Sequence, residues 1–543
     1  MNEATPTRRR ADPRPRLSIP VAAAVGLVSV AAALAAGHLV AGFVEPFASP
    51  FLAVGNTAID LTPHPVKDFA IRTFGEDDKP VLLGGMAVVI TLVAVAAGLL
   101  SRRSAVPGAV VAALLGVLAF AAVLARPSVG SAGLLAPVAS LLVGVGVFWW
   151  LHSLARRARG ARTPIQDSAP GSTPEGASTR TVDWDVPGLG RRRFLVTSTA
   201  VAAGAGVAAA AGQLFTGRVD VEASRRSIRL SPDSLAPPIP AGADFAGDGT
   251  PGFITSNADF YRVDTALSVP RLRAQDWRMR IHGMVDRELV LTYDDLIGRP
   301  LVEKTITLCC VSNEVGGPYV STTNFIGVSL RDLLLEAGVR PGSDQLATRS
   351  VDGWTCGTPV EAIMDPNSDA LLAVGMNGEP LPVEHGFPVR MVVPGLYGFV
   401  SATKWLVDAE LTTFEAFDPY WVRRGWAQRA PIKTMSRVDR PKGFEEVPVG
   451  RFVAAGIAWA QHTGVDKVEV RLDEGPWQQA ELSTEVNIDT WRMWRVELDL
   501  PPGSHTIQCR ATDRSGYTQT DERAEPIPDG ASGWQSIVFT AQA

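Results

Sequence analysis

The chain has 543 residues with a formal net charge of -5, too long for one ordinary domain and without the basic excess of a nucleic-acid binder. Its four cysteines, Cys309, Cys310, Cys356 and Cys509, form no CxxC or Cys/His zinc pattern. The average charge hides an asymmetry. The first two hundred residues are Ala, Val, Leu and Gly runs broken by arginine clusters, and the rest is mixed-charge globular sequence.

Five uncharged apolar runs open the chain: Ile19 to Val44, Val81 to Leu100, Ala105 to Ala125, Ser131 to Leu151 and Phe194 to Phe215. Each is long enough to cross a hydrocarbon core, and several in series predict membrane spans. Arginines precede the first run (Arg8, Arg9, Arg10, Arg14, Arg16), separate the second from the third (Arg102, Arg103) and follow the fourth (Arg156 to Arg162). Those segments are expected in the cytoplasm. The loop from Glu45 to Pro80 carries Glu45, Asp60, Asp68, Glu76, Asp77 and Asp78 and is expected outside. The predicted order is a cytoplasmic basic tail (1–18), four spans (19–151), a cytoplasmic linker (152–193) and a fifth span (194–215). Everything beyond Gly217 then lies outside the cytoplasm of a multi-pass cell-membrane protein.

The linker is rich in Pro, Ser, Thr and Gly from Thr163 to Gly190, a flexible composition. It ends in Gly190-Arg-Arg-Arg-Phe-Leu195, which resembles a twin-arginine export signal through Arg191, Arg192, Phe194 and Leu195. That route carries folded proteins, as a cofactor inserted in the cytoplasm requires. His38 and His152 lie in or beside spans. Facing histidines would ligate haem, but no second intramembrane pair exists, which disfavours it.

Residues 216–252 are polar and proline-rich and read as a tether, with folded sequence starting near Phe253. A strand is expected at Trp277 to Gly283. Thr292 is a plausible N-cap with Asp295 at N3 of a short helix, and a second helix runs from Ser329 to a closing Gly338. The β-branched, apolar run Thr305 to Leu308 reads as a buried strand that ends in Cys309 and Cys310. Neighbouring side chains on a strand point to opposite faces, so one cysteine packs while the other addresses a pocket. Two inert buried cysteines are the plainer alternative.

Downstream motifs favour the pocket. Phe260-Tyr261-Arg262, Cys310-Val-Ser-Asn313, Asp352-Gly353, Asn377-Gly378-Glu379-Pro380-Leu381, His385-Gly-Phe-Pro-Val-Arg390 and Lys404-Trp405-Leu406 follow one another in order. Together they resemble the molybdopterin domain of the sulfite oxidase family over about 253–415. The resemblance implies an α+β molybdopterin-binding fold with Cys310 as the thiolate on molybdenum, a soft ligand for a soft site, and Cys309 turned to the core. It also implies cofactor contacts from Asn257, Phe260, Tyr261, His385, Arg390, Ser401, Thr403 and Lys404, with Arg262 facing a substrate oxyanion. The family's sulfite enzymes carry paired arginines just past the cysteine turn, where this chain has Glu314-Val315. An acid there opposes a doubly charged anion such as sulfite, leaving sulfite-type oxyanions and S-oxides both open. Arg423 or Arg424 is a candidate replacement cation, or an ordinary surface pair.

From 416 to 543 the pattern becomes short alternating runs such as Arg451 to Ala460, Val465 to Asp473 and Trp491 to Leu498, with Gly/Pro turns between them. They suggest an immunoglobulin-like sandwich and resemble the family's C-terminal domain, which implies a homodimer. The expectation is a membrane-anchored molybdopterin-dependent oxidoreductase performing oxygen-atom transfer, with electrons exchanged through a separate partner. The alternatives are a non-catalytic membrane scaffold that inherited the fold, or an electron-transfer membrane subunit.

Overall fold

A computed structural model describes residues 16–63, 66, 69, 73–74, 78–126, 129–160, 189–217 and 220–542. The basic tail through Arg14, the acids Asp68, Glu76 and Asp77, and linker residues 161–188 lie outside the described residues. The chain divides into two compact units, 1–218 and 219–543.

The first unit is helical: α1 (Ile19–Val44), α2 (Pro50–Leu61), α3 (Asp78–Leu100), α4 (Val106–Leu124), α5 (Leu135–Gly160) and α6 (Leu189–Gly217). Among the described residues, five helices are long and apolar enough to cross a membrane, at the five runs read from the sequence. Prolines at the first turns of α1, α2 and α4 sit where a missing N–H costs nothing. Gly26 of α1 and Gly98 of α3 face each other's helices. A Cβ on either would strike the backbone carbonyl of Ala94 or Ala22, so only glycine permits this approach.

One end of this unit gathers the start of α1, the ends of α3 and α5 and the start of α6. Leu17 N–H donates to the Arg102 carbonyl at 2.9 Å, and His152 Nε2 bonds the Ser101 carbonyl at 2.8 Å. Leu17, Phe148, Leu151, Ala155 and Phe194 share one apolar cluster there. His38 is 21 residues beyond Leu17 along the chain, about 30 Å at the helical rise, and bonds Ser49 Oγ instead. The two histidines therefore do not face one another. The expected outer loop contains α2, and two of its acids have structural partners: Glu45 accepts from Gly130 N–H at 2.9 Å and Asp60 pairs with Arg126 at 3.3 Å.

The second unit begins earlier than its composition suggests. Residues 220–252 are not a free tether: α7 (Val221–Ser227) is capped by the Asp220 carboxylate, and Val221, Ala243 and Phe245 enter the main core. Its prolines suit an extended path, and its polar backbone is satisfied by the fold. Asp233 N–H donates to Leu301 O, and Leu301 N–H donates back to the Asp233 carboxylate.

The next strands and helices in chain order are β1 (Arg278–Gly283), β2 (Leu289–Thr292), α8 (Tyr293–Ile297), β3 (Val302–Cys309), β4 (Val320–Ser329) and α9 (Leu330–Ala337). They are followed by β5 (Gln345–Ser350), β6 (Thr355–Pro359), α10 (Val360–Met364), β7 (Leu371–Met376), β8 (Glu379–Pro380), β9 (Arg390–Val392) and β10 (Leu406–Thr412). One sheet runs β2-β1-β10-β5-β6, parallel only between β1 and β10. The other runs β3-β4-β7-β8, with β9 also paired to β7. Both short helices form as their caps predict. Thr292 and Asp295 make a reciprocal capping box, and Ser329 caps α9, which closes at Gly338 with φ 73°.

Nine strands complete the unit: β11 (Met435–Arg440), β12 (Glu446–Pro448), β13 (Gly450–Trp459), β14 (Val465–Leu472), β15 (Gln478–Gln479), β16 (Glu481–Leu482), β17 (Arg492–Leu500), β18 (Gly503–Asp513) and β19 (Gln535–Gln542). They form two sheets, β11-β13-β17-β16 and β12-β19-β18-β14-β15, that bury Val438, Ala454, Val468, Ile507 and Phe539 between them. This C-terminal region is not separate from the preceding one. Ile457, Trp459, Trp491 and Met493 pack into the same core as β3 and β4, so no clean boundary falls at 416.

Candidate active site

β3 is the edge strand of its sheet, and its last residue, Cys309, is 1% exposed inside the apolar core. Cys310 follows just past the strand and is not part of that core. It is held by a turn rather than by packing: its N–H donates to Tyr319 O, its carbonyl accepts from Asn313 N–H, and Asn313 Oδ1 accepts from Tyr319 N–H at 2.8 Å. Cys309 thus packs in the core at the strand's end, while Cys310 is placed by the turn that follows and not by alternation along the strand. All four cysteines are free and buried.

An edge strand exposes unpaired backbone groups, and here the C-terminal region covers them. Thr307 N–H donates to Asp489 O at 3.0 Å, Gln461 Nε2 donates to Thr307 O at 2.6 Å and Asn487 Nδ2 donates to Thr305 O at 3.0 Å. Trp491 N–H donates to Thr307 Oγ1 at 2.7 Å. The strand that delivers Cys310 is therefore gripped on both sides. No sequence pattern announces these partners, because each is an ordinary polar residue in a loop 150 or more residues away.

Four segments converge beside the cysteine turn. Asn257 accepts at its backbone carbonyl from His385 Nε2 at 3.0 Å, and its Oδ1 accepts from Asn377 Nδ2 at 3.0 Å. Phe260 stacks on Tyr261 at 5.3 Å and meets Phe325 and His385 edge-on. Burial pushes the Tyr261 phenol well above its ordinary range. The Cys310 and Cys309 sulfurs add to that rise and the Arg390 guanidinium opposes it, so Tyr261 lies within the field of both sulfurs and the arginine. A side chain on Gly398 would sit against the Tyr261 hydroxyl and the Cys309 carbonyl, which brings the 398–404 segment to the same place.

The cations are arranged unequally. Arg390 is 5% exposed, lies over the Phe325 ring at 5.4 Å and donates Nη1 to His385 O at 3.2 Å, while its buried Nε has no partner. Lys404 Nζ donates to Asp264 Oδ2 at 3.0 Å and to Glu384 O at 3.2 Å, above the Trp405 ring. Arg262 Nε pairs with the same Asp264 Oδ2 at 2.9 Å, with its side chain 39% exposed. Burial, reinforced by Arg390 and Lys404, holds His385 down at about 4, so it is neutral at neutral pH. Burial also lowers Arg390 to about 10 and Lys404 to about 8.

Two expected contacts turn inward. The Ser401 hydroxyl donates to Leu396 O and Tyr397 O, and Thr403 Oγ1 bonds Thr348 Oγ1 at 2.7 Å; both residues are fully buried. Their side chains shape the 396–403 loop, since a buried hydroxyl takes the nearest acceptor. Glu314 is exposed, and Arg424 is spent stacking on Tyr420 at 3.5 Å and donating to its carbonyl, with Arg423 exposed beside it. Asp264 was not anticipated from the sequence.

Residues 266–421 match the family described as oxidoreductase molybdopterin binding domain. Over 320 residues the chain is 30% identical to the sulfite oxidase of Gallus gallus, covering 50% of this chain and 69% of that protein. The chain belongs to the sulfite oxidase family. It is 31% identical to the mitochondrial sulfite oxidase of Homo sapiens over 326 residues, 51% of this chain, and spans 59% of that relative's length. The sulfane dehydrogenase SoxCD of Paracoccus pantotrophus is similar at 24% identity over 54% of this chain and 84% of its own, with a TM-score of 0.47.

The residues present suit the family's cofactor. A sulfur stands outside the packed core, and a buried guanidinium carries an unpartnered donor. Phe260 and Tyr261 stack within the same group of residues, with His385 edge-on to Phe260. A buried donor without an acceptor costs about 1–3 kcal/mol, so an anion that accepts from Arg390 would recover stability as well as gain affinity.

Proposed function

We propose that this chain is a membrane-anchored molybdopterin-dependent oxidoreductase that transfers an oxygen atom to or from a small sulfur oxyanion or S-oxide outside the cytoplasm. The observation that carries the reading is that Cys310 and a half-satisfied, buried Arg390 both act on Tyr261, in a family whose cofactor brings both a metal and an anionic group. When bound, the molybdenum cofactor supplies two-electron oxygen-atom chemistry. Cys310 would ligate the metal. Arg390 and Lys404 would take the cofactor's anionic end, with Asn257, Phe260, Tyr261 and neutral His385 walling the pterin. Arg262, the most exposed of the three cations, would meet the substrate's oxygen.

The exposed Glu314 just past the cysteine turn disfavours a dianion and favours a neutral S-oxide over sulfite. The arginines at one end of the helical unit support a cytoplasmic face there. Arg191 and Arg192 at the head of α6 fit a twin-arginine signal. Electrons would pass to or from a separate partner. The two-sheet C-terminal region would be immunoglobulin-like, and a homodimer through it is expected.

Molybdenum and pterin content of the purified full chain, followed by paired turnover assays on sulfite and methionine sulfoxide with artificial electron carriers, tests this. A metal-free preparation from a molybdenum-replete host would leave the scaffold alternative in its place.

A further inference from the structure

The Asp264 carboxylate lies between two of the site's cations. Its side chain is 5% exposed, and a single oxygen, Oδ2, accepts from both Lys404 Nζ at 3.0 Å and Arg262 Nε at 2.9 Å. The two cations differ in what they need from it. Arg262 is well exposed, so water can solvate its guanidinium beside the carboxylate. Lys404 is only 11% exposed, and an ammonium loses its proton readily when buried.

The groups around Lys404 make that loss near. Burial is the largest influence and has already brought it down to about 8, with Arg390 and Arg262 pushing the same way; Asp264 is the group that opposes them. Among the described residues, Asp264 is the carboxylate that raises Lys404. Glu384 offers Lys404 its backbone carbonyl, not its carboxylate. Asp352 feels both Lys404 and Asp264, but the Lys404 ammonium donates to Asp264 and to the Glu384 carbonyl instead. His385 is held neutral.

We infer that Asp264 is a positioning residue: it keeps Lys404 protonated and fixed for the cofactor's anionic end while tying Arg262 to the same oxygen at the substrate side. This rests on the proposed cofactor site. It gives that site a division of labour. One carboxylate sets the cofactor cation, and the exposed arginine can be altered without disturbing it.

The test uses the full chain purified in detergent from a molybdenum-replete host, with molybdenum and pterin per chain measured before and after washing between pH 6 and 9. Asp264→Asn is expected to retain about tenfold less cofactor or worse, as for partners that orient a ligating group. Its loss should begin at lower pH than in the wild type, and Asp264→Glu should restore much of the retention. In a Lys404→Gln background, Asp264→Asn should add little. Arg262→Gln keeps the question answerable should Asp264→Asn fail to fold: it is expected to retain cofactor within about threefold, the scale of an exposed pair, while KM rises more than kcat falls. Wild-type-like retention by folded Asp264→Asn across the pH range, additive losses with Lys404→Gln, or cofactor loss in Arg262→Gln would each overturn the inference alone. A wild-type chain without molybdenum would overturn it together with the functional reading, so the two failures are distinct.

Discussion

Replacing Gln461 by alanine tests whether the C-terminal region braces the cysteine-bearing strand. Gln461 is 7% exposed, and its Nε2 donates to Thr307 O at 2.6 Å and to Asp489 O at 2.7 Å. Asp489 O retains the Thr307 N–H, but Thr307 O lies on the open edge of β3 and loses this partner. One net hydrogen bond at about 1 kcal/mol, plus about 2 kcal/mol for a buried carbonyl left unpaired, gives about 3 kcal/mol. For a unit of this size, at about 2 °C per kcal/mol, the unfolding midpoint should fall by about 6 °C. Thr307 is three residues from Cys310, so molybdenum retention should fall in the same variant. The assay is thermal unfolding of the full chain in detergent with metal content measured in parallel, and exposed Gln478→Ala serves as the control. A midpoint within 1 °C of the control, with unchanged metal content, would refute the brace.

Cys310→Ser should abolish molybdenum binding and turnover while leaving the circular dichroism unchanged, whereas Cys309→Ala should keep both at a cost of about 1 kcal/mol, the scale of one deleted buried heavy atom; reversed phenotypes would reassign the ligand. Arg390→Lys, which replaces a planar fork by a point charge, should weaken cofactor retention by about tenfold, measured as pterin released on dilution. His462 donates from both ring nitrogens, Nδ1 to Asp489 at 2.8 Å and Nε2 to Pro394 O at 3.0 Å, and the Asp489 hydrogen bond raises its pKa above the ordinary value. A raised pKa stabilises fully below the unfolded value near 6.5 and is lost as pH rises through the folded one. The midpoint of the wild type should therefore drop more between pH 6 and 8 than that of His462→Gln, and parallel curves would contradict the clamp.

Much of this molecule is local in origin and so was readable in advance. Apolar runs of membrane length became α1 and α3 to α6, because a helix pairs its backbone groups within its own segment whatever its neighbours do. The Thr292–Asp295 box, the Ser329 cap and Gly338 act within a single turn. The β-branched run that became the buried end of β3 at Cys309 was legible as a strand from its own residues.

What the sequence left open depends on contacts between distant segments. Proline-rich 220–252 has the composition of a linker, and only the cleft that accepts Val221, Ala243 and Phe245 made it part of the core. Ser401 and Thr403 sit in the right motif, yet the folded loop turned their hydroxyls inward to Leu396, Tyr397 and Thr348. The brace from Gln461, Asn487 and Asp489 joins residues more than 150 positions from β3. Asp264 became significant only when folding brought Lys404, 140 residues away, to the oxygen already holding Arg262. Spans, caps and strand faces are fixed by forces acting over a few residues. A charge bridge or an edge brace acquires its meaning from a low-dielectric setting that exists only once the chain has closed around it.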